Sequence, residues 1–396
     1  MITKIGSLFA GNVDFDDIGL SGIAANDRWL SDKDLTSVFD KCEAIAKIMD
    51  HQGYSTFWAA EHHFQREGYE CIPNLMMLFV HLAHLTKQLK FGCGFNISPM
   101  WHPLRLAEDY ATADILTQGR VIFGVGRGYH TREVETVGSP ILDQAANREL
   151  FEEQIDVIFK AFNEKSFSHH GKYYDIPPHV PYRGYELETI SLVPKPARLP
   201  VECWQPIVSA SPRALDFMAK HGIKGMIGGG AATGGASDEV VKRWQEALAK
   251  YGKDTELGGD LIIGFSVQIA DTEKEAIDQA RPWVEERIKM FGPLGFVPGL
   301  TDKQLLDLAD PRKAPYAGLP TIEEGVRSGS WFCGPPSQII ERLQEVQDRY
   351  PGLDEINIGV TNMGMPLSST LEQLEWFGQD VLPKFTSNPP VSTSAD

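Results

Sequence analysis

Three short stretches of this 396-residue chain set reactive residue types where they could do chemistry. Glu61-His62-His63-Phe64 follows the apolar run Tyr54–Ala60. A histidine at a strand end can give or take a proton near neutral pH; a hydrogen-bonded loop pair is the plainer reading. Adjacent residues of an extended chain point opposite ways and HExxH spacing is absent, so no metal site is expected. Gly119–Gly138 reads GRVIFGVGRGYHTREVETVG. A strand over Val121–Val125 entering a glycine-dense loop with Arg127 can wrap N–H groups and charge around a phosphate. A tight turn explains the same glycines. The spacing is G-x-G-x-G and comes fourth in the strand series, which suits neither a dinucleotide fingerprint nor a P-loop. Ser209-Ala210-Ser211-Pro212-Arg213 joins a strand end to a helix start, which suits an anion or simple capping. Arg148, near another helix start, opposes the helix dipole and marks either a nearby anion or plain surface. Gly92-Cys93-Gly94-Phe95-Asn96 lets a ligand or another backbone come close, with Asn96 as a polar handle.

Such residues need a scaffold that brings strand ends together. Apolar runs predict strands at Ile5–Phe9, Ser55–Ala59, Leu89–Phe95, Val121–Val125, Pro206–Ala210, Lys224–Ile227, Leu261–Val267 and Ile356–Thr361. Helical patterns fall between them at Asp34–Asp50, Pro73–Lys87, Pro103–Leu116, Ala146–Phe162, Pro212–Lys220, Ser237–Tyr251, Thr272–Lys289 and Ser337–Arg349. In the fourth, Leu150, Phe151, Ile155, Ile158, Phe159 and Phe162 recur at helical spacing. Ser211-Pro212 gives a helix N-cap with proline at the first helical position. Eight alternations predict an α/β fold, a TIM (β/α)8 barrel with insertions at the carboxyl ends of the strands. One domain over residues 1–385 is expected, with irregular insertions at about 166–205 and 290–336 beside the site. The tail 386–396 reads as disordered.

Composition narrows the function. Hydrophobic residues make up 42% and charged residues 23%, with a net charge of −17. Nucleic acid and anionic membrane surfaces need basic patches, so neither partner is expected. The five cysteines, without CxxC spacing, read as reduced thiols in a cytoplasmic protein. No signal peptide or membrane span is expected.

The segments AAEHHF (59–64), HPLRLAEDYATADILTQGR (102–120), GRVIFGVGRGYHTREVETVG, ANREL around Arg148, SASPRALDFMAKHG (209–222) and CGPPSQIIERL…INIGV…FGQDVLPKF occur in order along nearly the whole chain. Together they resemble the bacterial luciferase-like, flavin-dependent monooxygenases. The resemblance implies a TIM barrel holding FMN, as FMNH2, at the carboxyl ends of its strands. Its phosphate would meet Arg127, Gly128, Arg148 and the Ser209-Ala210-Ser211 helix start. Gly94, Phe95 and Asn96 would lie along the ring, with a cis Gly94–Phe95 bond. His62 matches the catalytic histidine. FMNH2 from a separate NAD(P)H:flavin reductase would react with O2 to a flavin C4a-peroxide, which hydroxylates, epoxidises or inserts oxygen (Baeyer–Villiger) into a small, largely apolar substrate. Phe9, Trp58, Trp101 and Trp204 are the expected pocket aromatics. Family members are commonly homodimers. Gly126 stands where luciferases carry a reactive cysteine, which argues against light emission. Ala210 stands where an acidic phosphate-side residue is the pattern. The alternatives are an F420-dependent oxidoreductase of the same fold, a non-catalytic flavin-binding member, or a metal-dependent barrel hydrolase.

Overall fold

A strand between a bore and a helix layer is covered on both faces, and among the described residues eight parallel strands take that place. They are β1 (Lys4–Phe9), β2 (Thr56–Ala59), β3 (Lys90–Cys93), β4 (Val121–Gly126), β5 (Cys203–Pro206), β6 (Lys224–Ile227), β7 (Leu261–Ile269) and β8 (Glu355–Gly359). In this computed structural model, which describes residues 1–228, 236–297 and 299–386, they run parallel in the order β5-β6-β7-β8-β1-β2-β3-β4. Pairing of β4 with β5, Phe123 opposite Cys203, closes the barrel. Among the described residues nine longer helices accompany them: α1 (Asp32–Gln52), α2 (Leu75–His84), α3 (Pro103–Leu116), α4 (Gln144–Asn163), α5 (Pro212–His221), α6 (Ala236–Lys250), α7 (Glu273–Phe291), α8 (Pro336–Arg349) and α9 (Leu367–Asp380). The TIM barrel expected from the sequence is the observed fold.

The main core lies between barrel and helices. Ile5, Phe9, Phe57, Phe91 and Phe123 point outward into it, and Phe151, Ile155, Ile158 and Phe162 of α4 meet that layer. Inside the bore, Trp58, Ile122, Trp204, Met226 and Ile262 form a separate apolar plug, with Leu8 and Phe95 partly open above. Trp58 and Trp204 meet edge to face at 6.0 Å. The plug dictates a glycine: a Cβ on Gly92 would stand 2.2 Å from the Trp58 ring. Gly124 answers to backbone instead, since its Cβ would fall 1.8 Å from Cys93 O. The amino ends of the strands are closed by polar groups. Thr56 donates to Glu355 at 3.3 Å and Lys224 pairs with Glu202 at 2.8 Å, while burial pushes Glu355 up to about 7. With that end sealed, the carboxyl ends are left to receive a ligand.

The structure departs from the sequence reading at particular places. The fifth strand lies at Cys203–Pro206, earlier than Pro206–Ala210. Val208 and Ser209 are exposed and Ala210 has φ of 45°, outside any strand conformation. The third strand stops at Cys93, and Asn96–Ile97 forms a separate short pairing with β4 beyond a cis Gly94–Phe95 bond. Segment 290–336 is less irregular than expected. It holds helices Asp302–Leu308 and Ile322–Arg327, each opened by a threonine capping box, and a strand, Trp331–Gly334, paired with β7. Segment 166–205 carries two small hairpins, and α9 was not anticipated. Residues 387–396 of the expected disordered tail lie outside the described residues. Among the described residues no helix is long and apolar enough to cross a membrane.

Candidate active site

His62 leaves the end of β2 buried at the centre of a polar network. Its backbone N–H donates to Ile72 O at 2.9 Å, which fixes the loop. Its Nδ1 lies 3.1 Å from Glu133 Oε1, and its Nε2 lies 3.0 Å from the Tyr129 hydroxyl and 3.4 Å from Glu70 Oε1. Tyr129 donates to Glu70 at 2.7 Å, and His130 Nε2 lies 3.0 Å from the other Glu70 oxygen. Glu133 sits on the short helix Thr131–Val134 and also accepts from the His63 N–H at 2.9 Å.

The electrostatics of this network favour a charged imidazole. Burial works against the charge on His62, but Glu70, Glu133 and Glu61 outweigh it, and its pKa is raised above 6.5. Burial raises Glu133, yet the bond and charge of His62 bring it below the ordinary carboxylate value. Tyr129 is held well above 10 by burial and by Glu70, so it stays neutral and keeps its proton for donation. The raised pKa favours an imidazolium whose Nε2–H is directed at Tyr129 and Glu70.

The adjacent histidine serves elsewhere. His63 Nε2 lies 2.8 Å from Glu61, whose carboxylate also accepts from the Ile97 N–H at 2.9 Å and Trp101 Nε1 at 2.8 Å. Glu61 therefore ties the β2 loop to the segment after β3. The Asn96 side chain donates to Gly124 O at 2.7 Å, so its amide holds the barrel wall. The donor atoms of His62, Glu70 and His130 lie within 4.8 Å of one another, a set able to chelate a cation. Each of them is already hydrogen-bonded within the network.

A second polar cluster forms on the β4–β5 side. Arg127 Nη1 donates to Asn147 at 3.0 Å, and Asn147 returns a bond to Arg127 O at 3.3 Å. Burial lowers the Arg127 pKa and the neighbouring Arg148 lowers it further, with Glu152 opposing. Glu152 is 4.0 Å from Arg148 but is engaged by Arg213 at 2.6 Å and 3.1 Å. Two neighbouring guanidiniums beside a carboxylate that Arg213 already engages could receive an anion. Ser211 caps α5 beside them, accepting from the Ala214 N–H at 3.4 Å with Pro212 at the first helical position. Ala210 is buried and left-handed, whereas Ser209 is exposed. Gly128 has φ of 77°, and a Cβ there would press on Val134 and Ile97 at 2.8 and 2.9 Å.

The expected aromatics separate. Trp58 and Trp204 floor the bore and Trp101 is half-buried beside Glu61. Phe9 faces the helix layer, under the Lys41 ammonium at 5.6 Å, because its odd position on β1 points outward. Glu70, Tyr129, His130 and Glu133 had no assigned role in the sequence reading. Tyr129, His130 and Glu133 stood inside the quoted GRGYHTREVE stretch; Glu70 had no local signal. Phe296 packs edge-on against Tyr129 at 4.9 Å and Phe291 lies 6.4 Å away, so the start of the second insertion covers the network.

Comparison with known proteins identifies the family and agrees with the fold. The family model described as luciferase-like monooxygenase matches residues 21–351. The oxygenase component of a flavin-dependent trigonelline monooxygenase from Acinetobacter baylyi is 23% identical over 362 residues, 89% of this chain and 91% of that one. The oxygenating constituent of 3,6-diketocamphane monooxygenase from Pseudomonas putida, solved with FMN, superposes with a TM-score of 0.70 at 19% identity, covering 97% of this chain and 98% of that one. An F420-dependent secondary alcohol dehydrogenase holding an F420–acetone adduct superposes with a TM-score of 0.63 at 14% identity, covering 96% and 98%.

Proposed function

This chain belongs to the luciferase-like monooxygenase family, and from that premise we propose that it is the oxygenase half of a two-component system. It would take FMNH2 from a separate reductase, and O2, and oxygenate a small, largely apolar compound. One oxygen atom enters the product, the other leaves as water, and FMNH2 is oxidised. The observation that carries this reading is the pairing of a buried His62, its pKa raised by neighbouring carboxylates, with an arginine pair suited to a phosphate at the same end of the barrel.

The residues fit FMN. Arg127, Arg148 and the N–H groups at the start of α5 would hold the phosphate. Gly94, Phe95 and Asn96 would border the ring, and Gly126 leaves room there, since the nearest atom to a Cβ is 3.4 Å away. Bound as FMNH2, the cofactor supplies the two electrons that activate O2. The protein's own work is proton control and dryness. Glu133 anchors Nδ1 of His62, so that Nε2 meets the Tyr129 hydroxyl, which would relay its proton. Phe291 and Phe296 exclude water from above, and Trp58 and Trp204 do so from below.

Anaerobic titration tests the cofactor directly. FMNH2 is expected to bind more tightly than oxidised FMN or reduced F420; preferential binding of reduced F420 would replace this reading with hydride transfer. A pH profile tests the proton. Because the His62 pKa is raised, its acidic form persists above pH 6.5 and coupled oxygen consumption is expected to fall as pH rises through the shifted value. Glu133→Gln removes one of the charges that raise it, so the alkaline limb should move to lower pH. An unmoved limb would assign that titration to another group.

A further inference from the structure

The mouth carries a further positive charge, on Arg287 of α7. Its Nη1 meets Ser266 Oγ at 3.5 Å, and its guanidinium carbon stands 5.8 Å from the Phe291 ring. Neither contact neutralises it. The two acidic neighbours on the helix are turned to other tasks. Glu285 accepts from the Leu20 N–H, and Glu286 accepts from the Gly19 N–H and pairs with Arg28 and Lys289. Arg281, on the same helix, does have a carboxylate, Glu323 at 2.7 Å. Among the described residues Arg287 has no carboxylate within ion-pair distance.

Its surroundings lead toward His62. The residue is exposed, yet burial lowers its pKa, with Tyr129 opposing. Ser266 projects from the carboxyl half of β7, one turn of α7 carries Arg287 to Phe291, and Phe291 and Phe296 lead to Tyr129 and so to His62. A cation, a hydroxyl and an aromatic wall therefore line one path to the proton donor.

We propose that Arg287 binds a carboxylate of the substrate, with Ser266 as a second donor, so that the compound oxygenated is an apolar or aromatic acid held by its charged end. The inference rests on the monooxygenase reading of this mouth. A guanidinium fork matches a carboxylate in two parallel bonds, whereas a neutral amide offers it one acceptor.

Calorimetric titration of benzoate and octanoate against benzamide and octanamide tests it, in protein with and without bound FMN. Each acid is expected to bind about 10- to 100-fold more tightly than its amide, the difference a charge-assisted pair provides. Arg287→Met should abolish that preference and leave FMN affinity unchanged, while Arg287→Lys should keep part of it. No preference in the parent protein, or a preference that survives Arg287→Met, would overturn the assignment. Loss of FMN affinity in Arg287→Met would also overturn it, by placing the residue on the cofactor. Absence of FMN binding in the parent would count against the monooxygenase reading itself, while the flavin-free titration still reads the acid preference.

Discussion

Replacing His62 by alanine is expected to leave FMNH2 binding intact and to cut product formation by about 10²- to 10⁴-fold, the usual worth of positioned acid–base help. Oxygen should still be consumed, with H2O2 replacing product. The expectation follows from the network. Glu133 at 3.1 Å and Tyr129 at 3.0 Å hold the ring, and three carboxylates raise its pKa despite burial. Alanine also leaves Glu70 and Glu133 without that charge, so His62→Asn is the companion variant that keeps a donor in place. Melting curves show whether either variant folds. The same ratio of product to oxygen in folded variant and parent would remove His62 from the chemistry.

Arg127→Ala has the second large effect. FMN affinity should fall about 10- to 100-fold, as for a charge-assisted bond to phosphate, while riboflavin affinity stays near that of the parent. The selectivity matters because Arg127 also bonds Asn147, and a collapse of the loop would weaken both flavins alike. Equal loss for FMN and riboflavin would therefore refute the phosphate contact. Arg148→Ala should show the same selectivity, since Arg148 is close enough to depress Arg127.

The scaffold was legible because its cues are local. Pro103–Leu116 has the observed bounds, with His102-Pro103 opening the helix and Thr117-Gln118-Gly119 ending it. The fifth strand was displaced because Ile207-Val208 offered an apolar pair, while Trp204, which fills the bore, lay upstream in a proline-rich stretch. Phe9 was assigned by residue type, where its place on β1 decides which face it takes. His62, Arg127, Arg148 and Ser211 stand at strand ends and helix starts, where a sequence reveals position. Their partners do not. Glu70 reaches His62 through a loop that has no period, and Arg287 sits among ordinary amphipathic spacing on α7. Charge pairing across loops is a property of the closed barrel, and no single segment of sequence contains it.

The most direct test of the account is isotopic. The protein is incubated with NADH, a flavin reductase, FMN and 18O2, together with the small-molecule extract of its source cells, and the products are read by mass spectrometry. The account predicts a product carrying a single 18O atom that disappears when either the protein or FMN is left out. Tight FMNH2 binding with all consumed oxygen recovered as H2O2, and no labelled product, would contradict it.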